Sequence, residues 1–190
     1  MKILSTILLA LIVSVASAQT NWTIDKGHSK IGFNVTHMVV AEVEGEFKEY
    51  EGTVTSTTED FSGATVEFTA QVASINTDSE RRDGHLKSDD FFNAEQFPTI
   101  TFKGKLVKEG DKYSLKGNFT MRDVTKEVSF PVKFNGTIDT GRGVKAGFKV
   151  EGSVKRFDYG LKWSNALASG EYVVADEVEI LCKLELNKAK

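Results

Sequence analysis

Three histidines, one dense run of mixed charge and a single cysteine are the residues of this chain that could carry chemistry. The histidines stand at His28, His37 and His85. No two of them have the i,i+4 helical or His-x-His strand spacing that gathers a metal ion locally. One cysteine excludes a cysteine-rich zinc centre and an internal disulfide framework. No metal and no cofactor is expected. His28 stands beside Ser29 at the start of a strand pattern, where a structural hydrogen bond is the default. His37 continues the phase of Ile31, Phe33 and Val35 and so shares their apolar face. It reads either as a polar group near the mouth of a cavity or as a core histidine with a satisfied hydrogen bond.

Glu80, Arg81, Arg82, Asp83, His85, Lys87, Asp89 and Asp90 make up the charged run. In one reading they pair with one another and pin a helix or loop. In the other, Arg81, Arg82 or His85 grips a pyrophosphate or carboxylate head group. Phe91, Phe92 and Phe97 flank the run and would form a lid or seal a core. Support for catalysis is thin. No G-x-S-x-G elbow is present, and Asp89 and Asp90 are chain neighbours that would point apart on a strand. Cys182 falls in the apolar phase of the last strand pattern, the setting of an inert buried thiol. No catalytic residue is assigned.

The elements that must position these residues alternate with period two. Ala64, Val66, Phe68, Ala70 and Val72 are apolar, with Thr65, Glu67, Thr69 and Gln71 between them. That is a strand with one wet face. The pattern returns around Ile31–Val35, Ile100–Leu106, Leu115–Met121, Val128–Phe134, Phe148–Val154 and Val178–Leu186. The stretch 43–56 changes phase between Phe47 and Gly52, which predicts a bulge or bend. Turn residues mark connections at Glu109-Gly110-Asp111, Asn135-Gly136, Thr140-Gly141 and Ser169-Gly170. Residues 78–93 do not alternate and predict a short helix with a loop. About eight antiparallel strands suggest a barrel or a sandwich, and closure removes exposed edges.

The chain has 190 residues, the size of one domain. Its 24 basic and 27 acidic residues give a net charge of −3, without the basic excess of a nucleic-acid binder. Thirteen Phe and sixteen Gly stand against two Pro. Gly104, Gly117 and Gly152 fall in the apolar phase of their strands, where a solid core would want larger side chains. They either widen a cavity lined by Phe, Val and Leu or mark bends at barrel corners.

Met1-Lys2, the apolar run from Ile3 to Val13 and Ala16-Ser17-Ala18 follow the plan of a secretory signal peptide. Cleavage after Ala18 would leave a domain of residues 19–190, periplasmic or secreted. Four sequons, at Asn21, Asn34, Asn118 and Asn135, carry little weight in a bacterial chain.

Four blocks in order resemble the YceI-like lipid/polyisoprenoid-binding family. They are Trp22-Thr23-Ile24-Asp25 with His28-Ser29-Lys30-Ile31-Gly32-Phe33 and His37, then the run from Arg82 to Asn93 with Phe97-Pro98-Thr99-Ile100-Thr101-Phe102, then Gly117 to Lys126, then Arg156-Phe157-Asp158-Tyr159-Gly160-Leu161. Lys87 stands where Arg is common, and Asn93 where Asp is common. The resemblance implies an all-β, lipocalin-like, elongated eight-stranded antiparallel barrel that holds a polyisoprenoid, isoprenoid quinone or fatty-acid derivative and is not an enzyme.

Together these readings predict a cavity lined by Phe33, His37, Phe68, Phe91, Phe92, Phe102, Gly117, Phe119, Met121, Phe130, Phe134 and Phe148, with Arg81, Arg82 and His85 as head-group candidates. The expected partner is a long-chain isoprenoid or acyl lipid, with a dimer compatible. Two alternatives stand beside this. One is an enzyme on a lipid-like substrate with His37 or His85 as acid or base. The other is a solid barrel that works through its surface.

Overall fold

The computed structural model describes residues 19–189; the expected leader, residues 1–18, lies outside them. The strand segments are β1 (Thr20–Ile24), β2 (Lys30–His37), β3 (Ala41–Phe47), β4 (Tyr50–Ser56), β5 (Thr65–Gln71), β6 (Ile75–Asn76), β7 (Thr99–Glu109), β8 (Lys112–Met121), β9 (Val124–Asp139), β10 (Val144–Lys155) and β11 (Val174–Lys188). A single α-helix among the described residues, α1, spans Glu80–Lys87, inside the predicted 78–93 window.

These eleven segments follow eight strand paths. β1 and β2 lie end to end along one edge of β11. β4 pairs with β1 and β3 with β2, and β5 and β6 in turn pair with β4 and β3. From β5 the sheet continues through β7, β8, β9 and β10 to β11, antiparallel throughout, and closes on β1. The result is the predicted eight-stranded antiparallel barrel.

The period-two pattern explains both the paths and their breaks. In β3, Val43, Gly45 and Phe47 face inward; in β4, Tyr50, Gly52 and Val54 do. The inward phase switches from odd to even across Lys48-Glu49, which is the predicted bend. The first path switches too, from Trp22 and Ile24 in β1 to Ile31, Phe33 and Val35 in β2. Beside them, a 3-10 turn at Val72–Ser74 interrupts the third path between β5 and β6. The three breaks lie side by side and form one corner of the barrel, a common use of local strand irregularity.

One expected turn is not a turn. Asn135-Gly136 lies within β9, where Gly147 pairs with Gly136 and the next residue, Phe148, pairs with Phe134. Asn135 is therefore the extra residue of a β-bulge, and Gly136 takes the left-handed backbone (φ 102°) that the bulge requires. The Asn-Gly chemistry that suits a tight turn also suits a bulge.

The up-and-down path gathers residues 38–40, 77–98, 122–123 and 156–173 at one end of the barrel, the helix end. Residues 57–64, 110–111 and 140–143 gather at the other.

Candidate functional site

The interior holds a cavity of about 200 Å³ with an almost wholly apolar wall. All eight strand paths contribute wall residues, β9 the fewest, with only Phe130 and Val132. On β11 the wall runs from Val174 through Val178, Ile180, Cys182 and Leu184 to Leu186. At about 3.3 Å per residue and a tilt near 40°, those positions span about 30 Å of the barrel axis. The cavity is thus a narrow tunnel.

An aromatic seal closes the far end. Residues 57–64 fold back so that Phe61, 1% exposed and left-handed at φ 60°, enters the barrel end. Its ring meets Trp22 at 4.9 Å, Phe148 at 5.0 Å and Phe134 at 5.4 Å. The loop is held by Ser62 N–H donating to Asp60 Oδ1, by Lys108 Nζ donating to Asp60 Oδ2, and by the Tyr113 hydroxyl donating to the Asp60 carbonyl. The Lys108 ammonium and the Ser62 amide hold the exposed Asp60 carboxyl down at about 2.

The helix end is closed by α1, by residues 88–98 and by the start of a strap, residues 160–173. Leu161 and Trp163 of the strap pack on the core, while residues 165–173 pair with one another through the Ala166–Tyr172 bridge. Leu86, Phe91, Phe92 and Leu161 reach the wall from these segments. Two arginines hold them there. Arg122 Nη1 donates to the carbonyls of Phe91 and Gly160, and its guanidinium faces the Phe97 ring. Arg156, 2% exposed, donates from Nε to Ala175 O (2.9 Å), from Nη1 to Leu161 O (2.7 Å) and Trp163 O (2.8 Å), and from Nη2 to Val174 O (2.9 Å). Its guanidinium also stacks 4.2 Å from the Phe157 ring. Burial lowers its pKa from the usual arginine value.

Neither arginine was given a role from the sequence. The signal for Arg156 was present: it continues the inward phase of Phe148, Val150, Gly152 and Val154, and a charge in an inward phase needs partners. Arg122 carried no such signal, because the turn it occupies breaks the phase.

Of the predicted cavity residues, Phe33, Phe68, Phe91, Phe92, Phe102, Phe119, Met121, Phe130 and Phe148 are on the wall. Three are elsewhere. Phe134 belongs to the seal, stacked on Phe148 at 4.9 Å. His37 ends β2 at the rim, beyond the last wall residue of that strand, Val35. Gly117 opposes Gly104 across β7 and β8 so closely that a Cβ on it would lie 2.3 Å from the Lys103 carbonyl oxygen. It marks a close backbone approach, not a hole in the core. At Gly45, Gly52 and Gly152 the missing side chain is replaced by Phe33, Ile24 and Phe130 respectively.

The three head-group candidates lie on α1, away from the wall. Arg82 is committed to the helix: Nε donates to Thr77 Oγ1 (2.7 Å) and Nη2 to Thr77 O (2.6 Å). Buried Asp83 completes this clasp by accepting from the Thr77 amide and hydroxyl. His85 pairs with Asp90 (2.8 Å) and packs edge-on against Phe91 and Trp163. Arg81 is exposed on the outer side of the helix.

Cys182 faces the tunnel, and burial pushes its thiol pKa up to about 12. Asp25, His28 and Glu185 are close enough to share a cation, but the Lys145 ammonium already bridges the two carboxylates at 2.8 and 2.6 Å. No helix among the described residues is long and apolar enough to cross a membrane.

A family model described as the YceI-like domain matches residues 22–186. A UPF0312 protein of Staphylococcus aureus is 35% identical over 171 residues, covering 88% of this chain and 98% of the relative. Among solved structures, a Campylobacter jejuni YCEI protein is 27% identical with a TM-score of 0.69, over 88% of this chain and 98% of that one. A polyisoprenoid binding domain from Saccharophagus degradans shares the fold at 13% identity and a TM-score of 0.65, over 88% of this chain and 98% of that one.

Proposed function

The chain belongs to the YceI-like family, and on that premise we propose that it is a carrier that sequesters one long apolar chain of an amphipathic lipid inside the barrel. The observation that carries this reading is the tunnel: an apolar wall about 30 Å long around a cavity of about 200 Å³. Burying a hydrocarbon chain there gains roughly 25 cal/mol per Å² removed from water. Few polar groups face the chain, as in other sites for apolar ligands.

The length of the wall bears on the class of cargo. The hydrocarbon core of a bilayer is about 30 Å thick, so an ordinary acyl chain fills about half of that. A tunnel of about 30 Å suits a single chain about twice as long. A polyisoprenoid or the tail of an isoprenoid quinone meets that requirement, and a very long acyl chain also does. The Saccharophagus degradans neighbour, described as a polyisoprenoid binding domain, is consistent with the first class.

We place the head group at the helix end, since the other end is sealed by Phe61. Of the three candidates on α1, Arg81 is exposed and His85 pairs with Asp90, whereas Arg82 is held by Thr77. None of the three histidines is on the tunnel wall, so no acid–base group of that kind faces the space a substrate tail would fill. Residues 1–18 would act as a removed leader and deliver the domain to the periplasm or the outside.

The test narrows the tunnel at two independent points. Ile180→Trp and Cys182→Phe each project a larger side chain into it. Both variants should fold, with overpacking costing about 1–3 kcal/mol, and both should lose uptake of a polyprenol probe. Uptake equal to wild type in two folded variants would overturn the assignment of the tunnel as the binding site.

A further inference from the structure

The hairpin between β2 and β3 breaks two rules at once. His37 pairs with Ala41, so the loop is Met38, Val39 and Val40. Met38 and Val39 both have left-handed backbone, at φ 50° and 66°. Consecutive left-handed positions in a tight hairpin favour Asn and Gly, and a β-branched residue there is strained. The same three side chains are exposed: 47% at Met38, 52% at Val39 and 89% at Val40. None belongs to either hydrophobic cluster. Turn stereochemistry and core packing therefore both argue against these residues. Where a sequence breaks local rules without an internal gain, a functional site is the expected reason.

The position of the loop indicates what that site contacts. His37 pairs with Val174, the last wall residue of β11 at the helix end, and the Met38 amide donates to the Val173 carbonyl at 2.7 Å. The apolar tip is thus bonded to the rim of the tunnel. Next to Val173 on the strap is Tyr172, 46% exposed, with its ring edge-on to Phe157 at 5.2 Å. Residues 38–41 carry no charge, and the nearest acid along the chain is Glu42. Met, Val and Tyr side chains on an uncharged tip, beside a tyrosine whose phenol reaches solvent, form a set suited to a membrane interface.

We propose that the Met38-Val39-Val40 tip, with Tyr172 beside it, inserts into the surface of a lipid bilayer and aligns the helix end of the tunnel with the membrane for loading or release. This inference rests on the lipid-carrier reading, because that reading supplies the reason for the tip to meet a bilayer.

The test uses the triple variant Met38→Asn/Val39→Gly/Val40→Ser. Asn-Gly suits the left-handed positions, so the barrel should unfold at or above the wild-type temperature. Two readouts separate this proposal from the carrier reading. The first is flotation of ligand-free protein with phosphatidylcholine vesicles, which needs no cargo. Wild type should partition, and the triple variant should lose about tenfold or more of that partition. The second is uptake of a fluorescent polyprenol. From vesicles, the wild-type rate should rise with vesicle concentration and fall about tenfold in the variant; from ethanol solution, the two proteins should take up the probe equally. Wild type that ignores vesicles, or a triple variant that partitions as well as wild type, would overturn the membrane tip. Loss of uptake from solution by wild type would instead overturn the carrier reading, and flotation would still judge the tip.

Discussion

Gly104 and Gly117 face each other across β7 and β8, each Cα within 2.7 Å of where the other's Cβ would stand. A methyl group on Gly104 would lie 2.2 Å from the Lys116 carbonyl oxygen, and one on Gly117 would lie 2.3 Å from that of Lys103. The obstacles are backbone, which cannot move aside without parting the two strands. Gly104→Ala and Gly117→Ala should therefore each destabilise the barrel by roughly 3 kcal/mol. At Gly152 the nearest obstacle is the Phe130 ring, a side chain that can rotate, so Gly152→Ala should cost less. Urea unfolding of the three variants checks the order; equal losses at all three positions would contradict it.

The seal gives a second expectation. Phe61 is buried against three aromatic rings, and it is the only large side chain its loop contributes to the far-end cluster, beside Ala64. Phe61→Ala should cost about 3–5 kcal/mol. It should also open the tunnel at the far end, so that an apolar fluorophore gains access to the interior of the folded protein. A variant as stable as wild type would show that the seal does not depend on this ring.

Cys182 offers a chemical probe of the tunnel. With its thiol pKa near 12, the thiolate fraction near neutral pH is very small. Its reaction with iodoacetamide should be on the order of a thousandfold slower than that of an exposed thiol. An apolar maleimide that partitions into the tunnel should react faster than iodoacetamide, and prior loading with polyprenol should suppress that reaction. Reaction rates indifferent to loading would place the cargo away from Cys182.

The strap depends on Arg156. Replacing it with Met frees the carbonyls of Leu161, Trp163, Val174 and Ala175 that it now binds. The loss should be about 2–4 kcal/mol. Amide hydrogen exchange should quicken across residues 160–173 while the far end of the barrel stays protected. Uniform quickening would mean that Arg156 supports the whole barrel and not the strap alone.

The corner between β1 and β2 responds to acid. Lys145 chiefly, with His28 second, holds the Asp25 carboxyl well below the usual carboxylate range. The folded pKa is below the unfolded one, so the stabilisation is complete above about pH 4 and is lost as pH falls below that. Lys145→Met should lower stability near neutrality and flatten the acid limb of the stability curve. A variant with an unchanged acid limb would remove Asp25 from the account.

Much of this fold was legible as period two. Alternation located all eight strand paths, and the phase change after Phe47 located the bend between β3 and β4. It did not separate β1 from the motif around Trp22, because five residues are too few to show a period. It also did not tell the bulge at Asn135-Gly136 from a turn, since both need the same backbone freedom. The tunnel wall was legible to the extent that inward phase equals wall. Phe134 shows the limit: its phase is inward, but its height along the barrel puts it in the seal. Gly117 shows another, because a glycine in an inward phase marks either empty space or a close backbone approach, and only the opposite strand decides. The clamps made by Arg122 and Arg156 join residues 31 or more positions apart, as Arg122 does with Phe91, or close a loop back on its own start; no local pattern encodes such contacts.

The most direct measurement is native mass spectrometry of the purified protein, followed by extraction and identification of whatever it carries. The carrier account predicts a discrete added mass, one lipid per chain, that extracts as a single long polyprenyl or very long acyl species and is absent from Ile180→Trp. A bare mass that also resists loading with polyprenol and with long-chain fatty acid would contradict it.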